Sequence, residues 1–224
     1  MISIDTVYQR VLAILNKENR GYITPQEFNL MANQAQLEIF EQYFYDLNQF
    51  SRLGSNNSEY ANIIDNLKEK ISLFEVIENI ITEDLYYTLP VNLYRIGSVI
   101  SNNKEIAYVS EKELQALNAS PLTVPTENYA VYTKKGSLIY VYPFLNSITL
   151  NYIKTPATVE WGYIEVDNNA LYDSSNSTNI ELHESDEASM VIKILSYAGL
   201  SIKQPDVTQI IEGIDNKKIT QEKS

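Results

Sequence analysis

Apolar positions along the chain change period twice. From Thr24 to about Phe50 they recur at helical spacing, with no Gly and no internal Pro. Phe28, Met31, Ala32, Ala35 and Ile39 lead, and Phe40, Tyr43, Phe44 and Leu47 follow. Thr24 is a good N-cap, Pro25 suits the first helical position, and Glu27 stands three residues past the cap, the arrangement of a capping box. The pattern predicts a helix of about 25 residues, roughly 38 Å long. Its far half is aromatic on more than one face. Such a helix serves either as the central core helix or as a helix shared with another domain or another copy of the chain.

Shorter helical patterns flank it. Ser3–Asn16 places Val7, Val11, Ile14 and Leu15 on one face, with Ser3 or Asp5 as cap. After a polar loop at Gly54–Ser58, Tyr60, Ile63, Ile64, Leu67 and Ile71 give a third helix over about 58–72. The first third of the chain is therefore read as helical.

Near Leu73 the pattern changes. Leu85–Leu89, Tyr94–Ile100, Ile106–Val109, Tyr129–Thr133, Leu138–Tyr142 and Ser147–Ile153 are rich in Tyr and β-branched residues. Asn102-Asn103 and Lys134-Lys135-Gly136-Ser137 read as hairpin turns. Ser110 and Glu113 form a second capping box, opening a short helix to about Leu117. These signals predict an antiparallel sheet or small sandwich over 85–160. Trp161–Ser177 is polar and Asn/Ser-rich and reads as a long loop or a lobe of weak structure, and Ile180–Leu182 as a short strand. Helical spacing then returns at Ala188, Val191, Ile192, Leu195 and Ala198, with an expected stop near Gly199. Pro205 opens a weak final helix over about 206–214, and a charged tail follows.

The expected fold is α+β. An N-terminal helical bundle spans 1–82 around the long helix and is completed by a closing helix within 180–214. An antiparallel β-rich insertion occupies 83–179, and 215–224 is a mobile tail.

Composition narrows the function classes. The chain has 224 residues, a net charge of -12 and no cysteine. Nucleic-acid binding draws its affinity from Lys and Arg on phosphates, so an acidic chain is poorly suited to hold DNA or RNA. An acidic wall can still let DNA pass. Without cysteine there is no disulfide framework, thiolate metal site or cysteine nucleophile. The opening MISIDTVYQR lacks a basic region followed by an apolar run, so no signal peptide is expected. No apolar stretch approaches the 18 or so residues that span a membrane.

Candidate chemistry is sparse. His183 is the one histidine, beside Glu181, Glu184, Asp186 and Glu187. A metal site would want a second imidazole, whereas acids at a helix start complement the helix dipole. Asp167, Asn168, Asn169 and Asp173 are oxygen-bearing but lack the EF-hand spacing and its glycine. There is no GxGxxG and no P-loop. The many tyrosines suit a buried protein interface better than a base-stacking surface. No catalytic residue, cofactor or metal ion is assigned. The candidate subunit-interface residues are Phe40, Tyr43, Phe44 and Leu47 on the long helix, with Ile202, Ile210 and Ile214 near the C-terminus.

Two stretches carry a resemblance. Glu181-Leu182-His183-Glu184-Ser185-Asp186-Glu187, continuing through Lys193–Pro205, resembles virion structural proteins of crAss-like phages. So does the opening, a short helix followed by Tyr22-Ile23-Thr24-Pro25-Gln26-Glu27-Phe28-Asn29 into a long one. Together they cover roughly 70 of the 224 residues. The order of helices, β insertion and helix is also similar to adaptor and tail-tube proteins of short-tailed phages. The resemblance implies a head–tail connector ring stacked under the portal, in about twelve copies, lining the genome exit channel. It implies the portal and other tail or ring proteins as partners, DNA passing through the lumen without specific binding, and location in the virion. It carries no catalytic residues. The alternatives are a receptor- or carbohydrate-binding tail component, whose binding face would be the Tyr-rich β region, and an acidic inhibitor that mimics DNA.

Overall fold

The computed structural model describes residues 1–17, 23–52, 58–82, 84–167 and 169–201. The fold is α+β, and the chain divides into two units. Met1–Leu73 and the chain from Pro156 onward form one, and Phe74–Thr155 forms the other. The β insertion thus begins and ends earlier than the expected 83–179.

In the first unit, α1 (Ile4–Lys17), α2 (Pro25–Arg52), α3 (Ser58–Ser72) and α5 (Glu187–Ser201) pack together. Helix α2 starts as its sequence dictates. Thr24 N–H donates to Glu27 Oε2 at 3.0 Å, and Glu27 N–H donates to Thr24 Oγ1 at 3.2 Å. At 28 residues it is about 42 Å long. Its buried face is Phe28, Ala32, Ala35, Gln36, Ile39, Phe40 and Tyr43, with Phe50 at the far end. Ile4, Val7, Tyr8, Val11 and Leu15 bury from α1, while Ile14, expected inward, is exposed. Met190, Val191, Ile194, Leu195 and Ala198 bury from α5. That helix runs past Gly199 to Ser201, because main-chain bonding and packing outweigh one glycine's cost of about 1 kcal/mol.

The stretch 161–177, expected to be a long loop or a lobe of weak structure, contains a hairpin of β9 (Tyr163–Val166) and β10 (Asn169–Tyr172), paired antiparallel from Tyr163↔Tyr172 to Val166↔Asn169. Its alternation is masked in the sequence by Asn and Asp at the turn, where Asp167 takes a positive φ of 50°. Ile180 makes only an isolated bridge with Ile2 instead of the expected strand.

The second unit is a sandwich of two four-stranded sheets. One has the order β1 (Glu75–Ile81), β8 (Ser147–Lys154), β3 (Leu93–Ser101), β4 (Lys104–Glu105). The other has the order β2 (Tyr87–Thr88), β7 (Leu138–Tyr142), β6 (Val131–Lys135), β5 (Ala107–Tyr108). All pairings are antiparallel except β5 with β6. Asn102 and Asn103 both take positive φ, as a two-residue hairpin turn between β3 and β4 requires. Gly136 does the same between β6 and β7. Helix α4 (Glu111–Asn118) opens on the expected capping box of Ser110 and Glu113. The core between the sheets holds Tyr87, Val99, Tyr132, Ile139, Val141, Ile148, Leu150 and Tyr152. Strand β1 lies in the region expected to close the helical part. Its Ile-rich pattern fits a helix face as readily as a strand, and pairing with β8 decides the matter. Lys154 N–H donates to the Phe74 carbonyl at 2.8 Å, so the unit starts and ends side by side.

Candidate functional site

The sequence-derived interface residues separate into three groups. Phe40 is fully buried and Tyr43 nearly so, which corrects their reading as subunit surface: both are consumed by the core of their own unit. Phe44 and Leu47 are half-buried, and the Phe44 ring meets the Phe40 ring edge-on at 5.1 Å. Ile202, Ile210 and Ile214 lie outside the described residues. What α2 does present outward is Leu30, Leu37 and Tyr45, at 74%, 39% and 56% exposure. At 3.6 residues per turn an offset of 7 returns to within about 20° and an offset of 15 leaves Tyr45 about 60° further round, so the three lie in a band about 80° wide and about 22 Å long. Gln34 and Glu41 interleave with them.

The flank of α2 about a quarter-turn round from this band explains why its surroundings are fixed. Asn29, Asn33 and Gln36 grip the extended chain that follows the sandwich. Asn29 Oδ1 accepts from Trp161 N–H at 2.8 Å, and its Nδ2 donates to the Trp161 carbonyl at 3.3 Å. Asn33 does the same for Val159 at 2.8 Å each way. Gln36 Nε2 donates to the Ala157 carbonyl at 2.8 Å, and its Oε1 accepts from Glu181 N–H at 3.0 Å. Side chains spaced four and three apart on a helix advance about 6 and 4.5 Å, close to the two-residue step of about 6.6 Å in an extended chain. The carboxamides act as a surrogate strand edge.

Trp161, held this way, is only 2% exposed. Its Nε1–H donates to Asp5 Oδ1 at 3.0 Å, and the Tyr8 ring lies 4.1 Å away. Tyr163 and Tyr172 stand at 6.0 and 5.8 Å. Beside it opens a slot of about 420 Å³, walled by Tyr8, Gln9, Leu12, Leu171 and Tyr172. Rings with neighbouring amides can stack and hydrogen-bond a small polar ligand.

His183 is drawn into a second hollow of about 480 Å³ with Ile63, Asn66, Leu67, Lys70 and Ser185. Its Nδ1 accepts from Ser185 N–H at 3.2 Å, so it caps the turn that precedes α5. Asp186 is buried. Its Oδ2 accepts from Tyr43 O–H at 2.7 Å and its Oδ1 from Lys70 Nζ at 2.9 Å. The Lys70 ammonium also lies 5.4 Å from the Tyr43 ring centre. The carboxylate contacts Ser185 and not the imidazole, so the order of a Ser–His–Asp relay is not reproduced. Among the described residues no three His, Cys, Asp or Glu side chains converge as metal ligands would.

A third polar group joins α2 to α5. Lys193 Nζ lies 2.9 Å from Glu38 Oε1, and Tyr197 O–H donates to Glu38 Oε2. Burial pushes the Glu38 carboxyl up, but the bonds from Tyr197 and Lys193 and the Lys193 charge outweigh it, leaving it below its ordinary value. Burial, then the bond to Glu38 and its charge, drive the Tyr197 hydroxyl well above its ordinary value.

Neither a scan against protein-family models nor a search of curated proteins finds a match for this chain. No helix among the described residues is long and apolar enough to cross a membrane.

Proposed function

We propose that this chain is a structural subunit of a phage virion, a head–tail connector that assembles into a ring between portal and tail. The observation that carries the reading is the outward stripe of Leu30, Leu37 and Tyr45 along a 28-residue helix. A long helix, gripped along one flank and carrying an outward band of Leu30, Leu37 and Tyr45 among polar side chains, suits a lateral contact between neighbours in a ring. The net charge of -12 supports a lumen that DNA crosses without adhering. The groups around Asp186 and Glu38 serve packing, since each polar atom there is engaged by a partner in the same unit.

The test is quantitative peptide mass spectrometry on purified virions of the phage that encodes the chain, counted against the portal protein. The expected ratio is near one to one. Absence from the particle overturns the reading.

The slot beside Trp161 favours a second reading, a carbohydrate-binding tail component. That reading predicts a copy number matching the tail fibres, and loss of glycan binding in Tyr172→Ala.

A further inference from the structure

Strand β1 is the longest open sheet edge among the described residues; β2, β4 and β5 are two residues each. Exposed edges are ordinarily guarded by Lys, Pro, a bulge or an inward-pointing charge. β1 has no Lys and no Pro, and its ladder with β8 runs unbroken from Glu75↔Ile153 to Ile81↔Ser147. By contrast, β3 in the same sheet carries two register shifts. Its charges are Glu75, at the very start of the strand, and Glu78, on the inward face, where it accepts from Tyr152 O–H at 3.3 Å.

Two hydrogen bonds settle which main-chain groups are open. Thr82 N–H donates to the Asn146 carbonyl, and Lys154 N–H donates to the Phe74 carbonyl. Positions 74 and 82 therefore turn their main chain toward β8. Since alternate residues of a strand turn to opposite sides, 76, 78 and 80 do so too. The N–H and C=O groups of Glu75, Ile77, Asn79 and Ile81 face the open edge. These same residues project from the sheet's outer face, opposite in sense to Val76 and Ile80, which pack toward the core. Ile77 and Ile81 are 73% and 72% exposed.

The outward pattern Ile77–Asn79–Ile81 reads the same in both directions. We propose that β1 pairs antiparallel with β1 of a second copy, about a two-fold axis through Asn79, joining the two β1–β8–β3–β4 sheets into one. A two-fold axis normal to the sheet keeps outer face with outer face, so it pairs odd positions with odd. Centred on Asn79, it sets Ile77 against the second copy's Ile81, and Ile81 against its Ile77. All three opposed pairs are of the hydrogen-bonded kind, giving about six main-chain bonds. Each Glu78 then faces an Ile80, not the other Glu78. Centring on Glu78 would oppose the two carboxylates and match Ile77 with Asn79. Centring on Ile77 would leave Ile81 uncovered.

An isologous contact closes at two copies and cannot by itself build a ring. It describes the free chain, uses a different element from the α2 stripe, and does not rest on the connector reading.

The absence of cysteine makes the test clean. Sedimentation of the purified full chain should show a monomer–dimer equilibrium at roughly 10–100 µM. Ile77→Lys should raise the dimer dissociation constant at least about tenfold with an unchanged circular dichroism spectrum. Asn79→Cys should form a covalent dimer with a short thiol-to-thiol crosslinker, whereas Leu122→Cys, at a 96% exposed position, should not. A chain that stays monomeric overturns the proposal. So does a dimer that either ignores Ile77→Lys or leaves Asn79→Cys uncrosslinked.

Discussion

Asn33 holds Val159 by both of its main-chain groups, accepting from the N–H and donating to the carbonyl at 2.8 Å each. Val159 is itself buried, so no water stands ready to replace the side chain. Asn33→Leu should therefore destabilise the protein by about 2–4 kcal/mol, the cost of leaving two buried main-chain groups unmet. Asn33→Asp keeps the accepting oxygen but turns a second oxygen toward the carbonyl, and should lose a comparable amount. Urea midpoints of the three proteins check this; a shift within error of zero would mean the extended chain is held by its apolar contacts alone.

Gly162 is required by closeness. A Cβ placed there would lie 2.5 Å from the Asn176 carbonyl oxygen, a main-chain atom with little freedom to move. Gly162→Ala should cost about 1–3 kcal/mol through the shift it forces. Trp161 is adjacent, almost fully buried, and the one tryptophan in the chain. Its fluorescence emission should move to longer wavelength in the variant and stay unchanged in a surface control such as Leu122→Ala.

Removing one member of the Asp186 group should cost more than replacing two. Asp186→Ala strands the Lys70 ammonium, 20% exposed, and the Tyr43 hydroxyl, and should cost about 3 kcal/mol. The double variant Asp186→Leu with Lys70→Met removes both charges and should recover part of that loss. A double-mutant cycle on Asp186→Leu and Lys70→Met by chemical denaturation measures the coupling, and additive single effects would contradict it.

The Glu38–Tyr197 pair makes stability depend on pH from both sides. The Glu38 carboxyl titrates below its ordinary 4.5 in the folded chain. Its share of stability is full above pH 4.5 and fades as pH falls through the folded value. The Tyr197 hydroxyl titrates above its ordinary 10.0, so its share is full below pH 10.0 and is lost as pH rises through the folded value. Glu38→Gln should flatten the acid limb of a stability profile, and Tyr197→Phe the alkaline limb. Urea midpoints taken from about pH 3 to about pH 11 read the acid limb and the onset of the alkaline one.

Much of the helical frame was legible because it is local. The Thr24–Glu27 and Ser110–Glu113 boxes form between residues three apart, and the turns at Asn102-Asn103 and Gly136 need positive φ that few residues accept. The α+β class follows from where the period switches. Strand β1 escaped because Val76, Ile77, Ile80 and Ile81 satisfy helical spacing as well as alternation, and only β8, some seventy residues away, selects the strand. The β9–β10 hairpin escaped because its composition is that of a loop. Of the candidate site, Phe40 and Tyr43 showed the right chemistry and the wrong partner. Periodicity marks a side chain as apolar on a face but does not say whether that face meets its own chain or another.

Helix starts, tight turns, the absence of thiol chemistry and the net negative charge are all properties of residues close in the chain or of the chain as a whole, so they can be read before any fold is known. Tertiary structure alone decided which face of α2 is spent internally, that Asn29, Asn33 and Gln36 serve as an edge for residues 157–161, and that Ile77 and Ile81 are left at an open edge. The last two depend on pairing between segments distant in the chain, 66 residues apart for Ile81 and Ser147 and 132 for Asn29 and Trp161, where no local propensity selects the partner.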